Sequence, residues 1–147
     1  MQKCVVCLVV LLAATLPASA VPVGTWLAEG GFAIVGATGG AVVAIAAIAQ
    51  ITPQLESGLA KTAVVIGSLT LCSGTGAAVG TLVAGRLFHW EGNVRTCLLG
   101  GLVGGFLSAF TEPILYTLGV PEAVTEFVGF LMIPILPTIG ATIGYNR

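Results

Sequence analysis

The chain has 147 residues, 56% of them hydrophobic and only 7% charged, with a formal net charge of −1, a single histidine and no aspartate. A soluble domain has roughly a quarter of its residues charged. At a mean hydropathy of +1.08 this chain has more apolar surface than a fold of its size can hide from water, so the expected solvent is lipid. The five basic residues are scattered, which leaves no patch for nucleic acid and excludes that partner class.

Residues 1–20 read as an export signal. Lys3 supplies the positive end, Val5 to Ala14 the apolar run and Ala18-Ser19-Ala20 a small-residue cleavage site, so the mature chain would begin at Val21. The expected location is a membrane reached by export. An uncleaved N-terminal anchor is the other reading, although the run is short for a hydrocarbon layer about 30 Å thick. Cys4 and Cys7 would leave with the leader, and neither follows the apolar run as a lipid-modified cysteine should. Cys72 and Cys97 remain, where packing of free thiols is the commoner role; a bridge would need neighbouring helices at matching depth.

Residues 21–147 predict an all-α, polytopic membrane domain of about four tightly packed transmembrane helices. The first span covers 27–49, opened by Trp26, whose indole suits the membrane interface, and closed by the polar cluster Gln50 to Lys61. Glu29, at its very start, is expected to be a solvated helix end, the other reading being a carboxylate inside the bilayer. The second span covers 62–87 and gives way to His89, Trp90, Glu91, Gly92 and Asn93, where glycine and asparagine mark a turn. The third runs over 94–111. Pro113 removes a helical donor and disfavours helix at Glu112, and the roughly 18 residues before Glu112 already make about 27 Å, so this span is expected to stop near Phe110. Pro121-Glu122 opens a fourth span over 124–145, with an acidic start that complements the helix dipole. Pro134 and Pro137 imply a kink or break at mid-span, tolerated where protein or water satisfies the freed carbonyls, so this helix is the expected buried one.

Each span carries glycines four positions apart, with three residues between them: Gly36 and Gly40, Gly76 and Gly80, Gly100 and Gly104 echoed by Gly101 and Gly105, and Gly140 and Gly144. This period places each pair on one helix face, and in lipid small residues let backbones approach closely enough to associate. A cleaved leader followed by four spans would place Arg86, Arg95 and Arg147 outside and only Lys61 inside, against the positive-inside tendency.

Few residues suggest chemistry. A single histidine, His89, leaves metal clusters without ligands, and the serines Ser68, Ser73 and Ser108 sit among small apolar residues, where hydroxyls bond a carbonyl one turn back or join helices. Gly74-Thr75-Gly76 with Gly80 lacks the lysine of a phosphate loop and the strand of a dinucleotide fold. No cofactor, metal or enzymatic activity is expected. Glu112 is the candidate ion or proton site: a carboxylate inside a span is costly, and it would lie there if the third helix continued through Pro113.

The tail Leu136-Pro137-Thr138-Ile139-Gly140-Ala141-Thr142-Ile143-Gly144-Tyr145-Asn146, with Gly76-Ala77-Ala78-Val79-Gly80 and the glycine-rich third span, resembles a loose class of small exported glycine-zipper bacterial membrane proteins with no assigned activity. The resemblance covers residues 67–147 and implies location and architecture. The chain is also similar to the proteolipid subunit of rotary ATPases in its four glycine-rich helices and a carboxylate in a span, for which Glu112 would be the match. It departs from that family in its glycine pattern, in the loop Arg86 to Arg95 and in the proline after the glutamate. The expected role is that of a non-enzymatic small integral membrane protein, acting in assembly or membrane modification through glycine-mediated helix packing, with lipid around it and further copies of itself or another membrane protein as partner. The alternative is a small channel or ion-conducting proteolipid that uses Glu112.

Overall fold

The computed structural model describes residues 23–147, so the expected leader at 1–20 lies outside the described residues. Four helices make up the fold: α1 (Val23–Ile51), α2 (Gly58–Leu87), α3 (Val94–Thr117) and α4 (Glu122–Tyr145), with one 3₁₀ turn, Thr52–Gln54, after α1. All four are long and apolar enough to cross a membrane, and no strand occurs among the described residues. The chain is an all-α, four-helix integral membrane protein.

The helices run further than hydropathy alone suggests. α1 begins a turn before Leu27, α2 begins at Gly58 and not at Thr62, and α4 begins at Glu122. Polar residues at a span's end lose hydropathy but keep their backbone bonds, so the helix outlasts the apolar run. The larger correction concerns α3, which does not stop near Phe110 but continues through Pro113 to Thr117. Nor is α4 broken: it is one helix through Pro134 and Pro137, and it buries the largest share of its apolar window, as expected for the span with the most disrupted ladder.

The interior is built from small side chains. Ala33, Ala37, Ala41 and Ala44 are the buried alanines of α1; Ala37 clusters with Ala77, Ala78 and Ala141, Ala84 is buried too, and the largest fully buried side chains are Glu29, Thr81, Pro137, Cys97 and Ser73. The large apolar residues point outward: Leu27, Val35, Leu59, Phe127 and Phe130 are each more than 60% exposed. In water this inversion would be untenable; in lipid the outer surface is solvated, and the interior gains only by close packing.

The turns after α2 and α3 close by the same device. At the end of α2, Trp90 N–H donates to Gly85 O at 2.8 Å and His89 N–H to Arg86 O at 3.4 Å, with His89 in the left-handed region at φ 57°. At the end of α3, Val120 N–H donates to Leu115 O at 3.2 Å and Gly119 N–H to Tyr116 O at 3.1 Å, with Gly119 at φ 72°. This is the Schellman arrangement, which satisfies the last helical carbonyls and reverses the chain.

Candidate functional site

All ten glycines singled out by spacing lie where one helix backbone meets another. A methyl group at Gly36 would overlap the Gly76 carbonyl, and one at Gly40 the Cys72 carbonyl; Gly76 faces Gly36 and Gly80 faces Phe32, so these four join α1 to α2. On α3 and α4, Gly100 opposes Gly140, Gly104 opposes Leu136 and Gly144 opposes Thr96. Consecutive residues on a helix point about 100° apart. The doublets Gly100-Gly101 and Gly104-Gly105 therefore give α3 two adjacent glycine faces: Gly101 meets Gly74, and Gly105 meets Thr70, which ties the two helix pairs together through α2. The faces expected to serve contacts within and between chains are thus engaged within one chain.

Continuation of α3 through Pro113 puts Glu112 inside the helix, five residues before its end. The side chain lies across Gly129 of α4, where an added methyl would overlap Glu112 Cγ. It borders a cleft of about 310 Å³ between α2, α3 and α4, lined also by Lys61, Ser108 and Pro113, and it is exposed on the surface of the bundle.

The carboxylate that is buried is Glu29. It is completely inaccessible and lies six residues into α1, because α1 starts at Val23; the solvated helix end expected for it is thereby corrected. Oε2 accepts a hydrogen bond of 2.6 Å from Asn146 Nδ2, which also donates to Thr142 O at 2.9 Å. Oε1 is buried with no partner. The Cys97 thiol and the Tyr145 phenol are buried together at the same end of the bundle.

Tyr145 holds this end together. Its hydroxyl donates to Trp90 O at 2.7 Å, its carbonyl accepts from Asn93 N–H at 3.0 Å, and its ring fills the space that Cβ atoms at Gly85 and Gly92 would occupy. Asn93 in turn caps α3, its Oδ1 accepting from Arg95 N–H at 3.1 Å and Thr96 N–H at 3.4 Å. Thr96 Oγ1 donates across to Gly144 O. Sequence reasoning missed Glu29, Tyr145 and Asn146 as one cluster. One signal was available: Thr25, Glu29, Ala33, Ala37 and Ala41 recur every fourth residue, so the glutamate continues the buried stripe of α1.

The remaining candidates are not brought together. Ser73 Oγ bonds Leu69 O and Ser108 Oγ bonds Gly105 O, each within its own helix. Ser73 is separated from His89 by more than four helical turns, roughly 24 Å. Cys72 and Cys97 are free, and Cys97 Sγ donates to Ala78 O at 3.7 Å. Among the described residues no group of three His, Cys, Asp or Glu could hold a metal ion. Comparison with protein families, with curated proteins and with solved structures finds no match to this chain.

Proposed function

We propose that the protein is a non-enzymatic, structural component of a bacterial envelope membrane, reached through its N-terminal signal, that acts as an assembly partner or membrane-modifying element by glycine-mediated packing. The observation that supports this most directly is that all ten glycines stand at backbone crossings while the large apolar side chains face outward. Lipid then meets the outward apolar side chains of all four helices, and contact with further copies or another membrane protein falls to the outer face of α1, where Gly24, Gly31 and Gly39 have open space. Replacement of Gly80 or Gly104 by leucine tests the reading, because a large side chain separates backbones that must touch. Both variants should lose thermal stability and native particle size in detergent and in lipid; two variants indistinguishable from wild type would overturn it.

One observation favours a second reading, ion or proton conduction. Glu112 stands inside α3 and shares a cleft with Lys61. A proton leak in reconstituted vesicles that disappears in Glu112→Gln supports conduction, and vesicles that stay tight with both proteins remove it.

A further inference from the structure

Of six glutamates and no aspartates, only Glu29 is buried; Glu56, Glu91, Glu112, Glu122 and Glu126 are exposed. Among the described residues its one hydrogen-bond donor is Asn146 Nδ2, which reaches Oε2 and leaves Oε1 bare. Of the titratable groups at this end of the bundle, the Cys97 thiol of α3 and the Tyr145 phenol of α4 are buried, while Arg86, Glu91 and Arg147 are exposed. A buried carboxylate with neither cation nor full hydrogen bonding is expensive, and the common solution is to hold a proton. A dehydrated metal ion is a poorer occupant, because no second carboxylate, histidine or pair of thiols converges here.

Asn146 gives this buried group an outlet. It is half-buried and borders a polar cleft of about 440 Å³ lined also by Glu91, Gly92, Asn93, Tyr145 and Arg147. The geometry points to Glu29 as a proton-binding site at the end of the bundle, exchanging one proton with water through the cleft at Asn146. Uptake forms the O–H bond on the carboxyl and removes its charge; release returns the proton to water in the cleft and leaves a carboxylate that draws on Asn146. Ionisable groups within a membrane bundle commonly serve proton movement, and this one is distinct from Glu112 at the opposite end. The inference does not depend on the structural role proposed above.

Infrared difference spectroscopy on the full chain in phosphatidylcholine vesicles tests it. At neutral pH, where solvated glutamates are ionised, wild type should show the C=O stretch of a protonated carboxylic acid that shifts in D₂O. The band should vanish in Glu29→Gln and persist in Glu112→Gln. Absence of the band in wild type, its survival in Glu29→Gln, or its loss in Glu112→Gln would each overturn the assignment. Should Glu29→Gln fail to fold, wild type and Glu112→Gln suffice, since the other glutamates are exposed near helix ends or in loops; a band common to both belongs to Glu29.

Discussion

Two glutamates stand inside helices at opposite ends of the bundle, and the two ends treat them differently. At one end the 88–93 loop, the start of α1 and the C-terminus close together: Glu29 is sealed in, Tyr145 ties α4 to the loop, and Asn93 caps α3 with its side chain. At the other, open end the Glu112 side chain is exposed beside its cleft, and the N-cap residues of α2 and α4, Ser57 and Pro121, make no side-chain cap bond. Charge follows the same division. The sealed end has Arg86, Arg95 and Arg147 with Glu29 and Glu91, whereas the open end has Glu56, Glu112, Glu122 and Glu126 with Lys61 alone. Equal chemistry thus acquires unequal character from what covers it: Glu29 and Glu112 each stand one turn from a buried small residue, Ala33 and Ser108, but Glu112 stays exposed where it crosses Gly129, whereas Glu29 is buried with Asn146 bonded to it.

If the sealed end owes its integrity to Tyr145, truncating that residue should produce the largest loss. Tyr145→Ala empties a site enclosed by Gly85 and Gly92 and deletes the bond to Trp90 O, a cost of about 3–5 kcal/mol. Tyr116→Ala at the open end removes a side chain that is 62% exposed, and the expected change is within about 0.5 kcal/mol. Reversible unfolding of both variants in mixed micelles measures the difference; equal losses would dissolve the distinction between the ends.

The carboxylates give the next contrast. Glu29→Ala leaves a cavity and strips Asn146 of one acceptor, for an expected loss of about 1–3 kcal/mol. Glu112→Ala should change stability by less than about 0.5 kcal/mol. A gain on removing Glu29 would mean that its carboxyl is retained against the interest of folding, which would sharpen the contrast in the direction of function.

Those two side chains also mark how far the sequence could be read. Helix type and number followed from long apolar runs, because that signal is local and repeats along one helix, and the glycine period is just as local. Which face meets which is not local: the doublets of α3 show two glycine faces, but nothing in them assigns one to α4 and the other to α2. The bond between Glu29 and Asn146 joins residues 117 apart, so no window of sequence holds both. The misplaced end of α3 has another cause. Pro113 was read for the hydrogen bond it removes, yet near the end of a helix a lost bond is cheap, and the exposed carbonyl one turn earlier can be satisfied from outside the ladder.

Helix caps test the contrast at smaller scale. Asn93→Ala removes two bonds to backbone donors at the start of α3 and should cost about 1 kcal/mol, while Ser57→Ala at the start of α2 should be nearly silent, since Ser57 makes no such bond. A comparable loss at Ser57 would show that the open end is tied by contacts other than caps.

The smallest effect concerns the residues that end α2 and α3. Both take a left-handed backbone, but the open end uses Gly119 and the sealed end uses His89. A side chain in that region costs about 1 kcal/mol, and glycine returns roughly half to all of it through the extra freedom of the unfolded chain. His89→Gly should therefore raise stability by only a few tenths of a kcal/mol in the same micelle assay. Its sign is the informative quantity: a clear loss would mean that the His89 side chain makes contacts that hold the sealed end, and a small gain would mean that Tyr145 and Asn93 hold it without help from the turn.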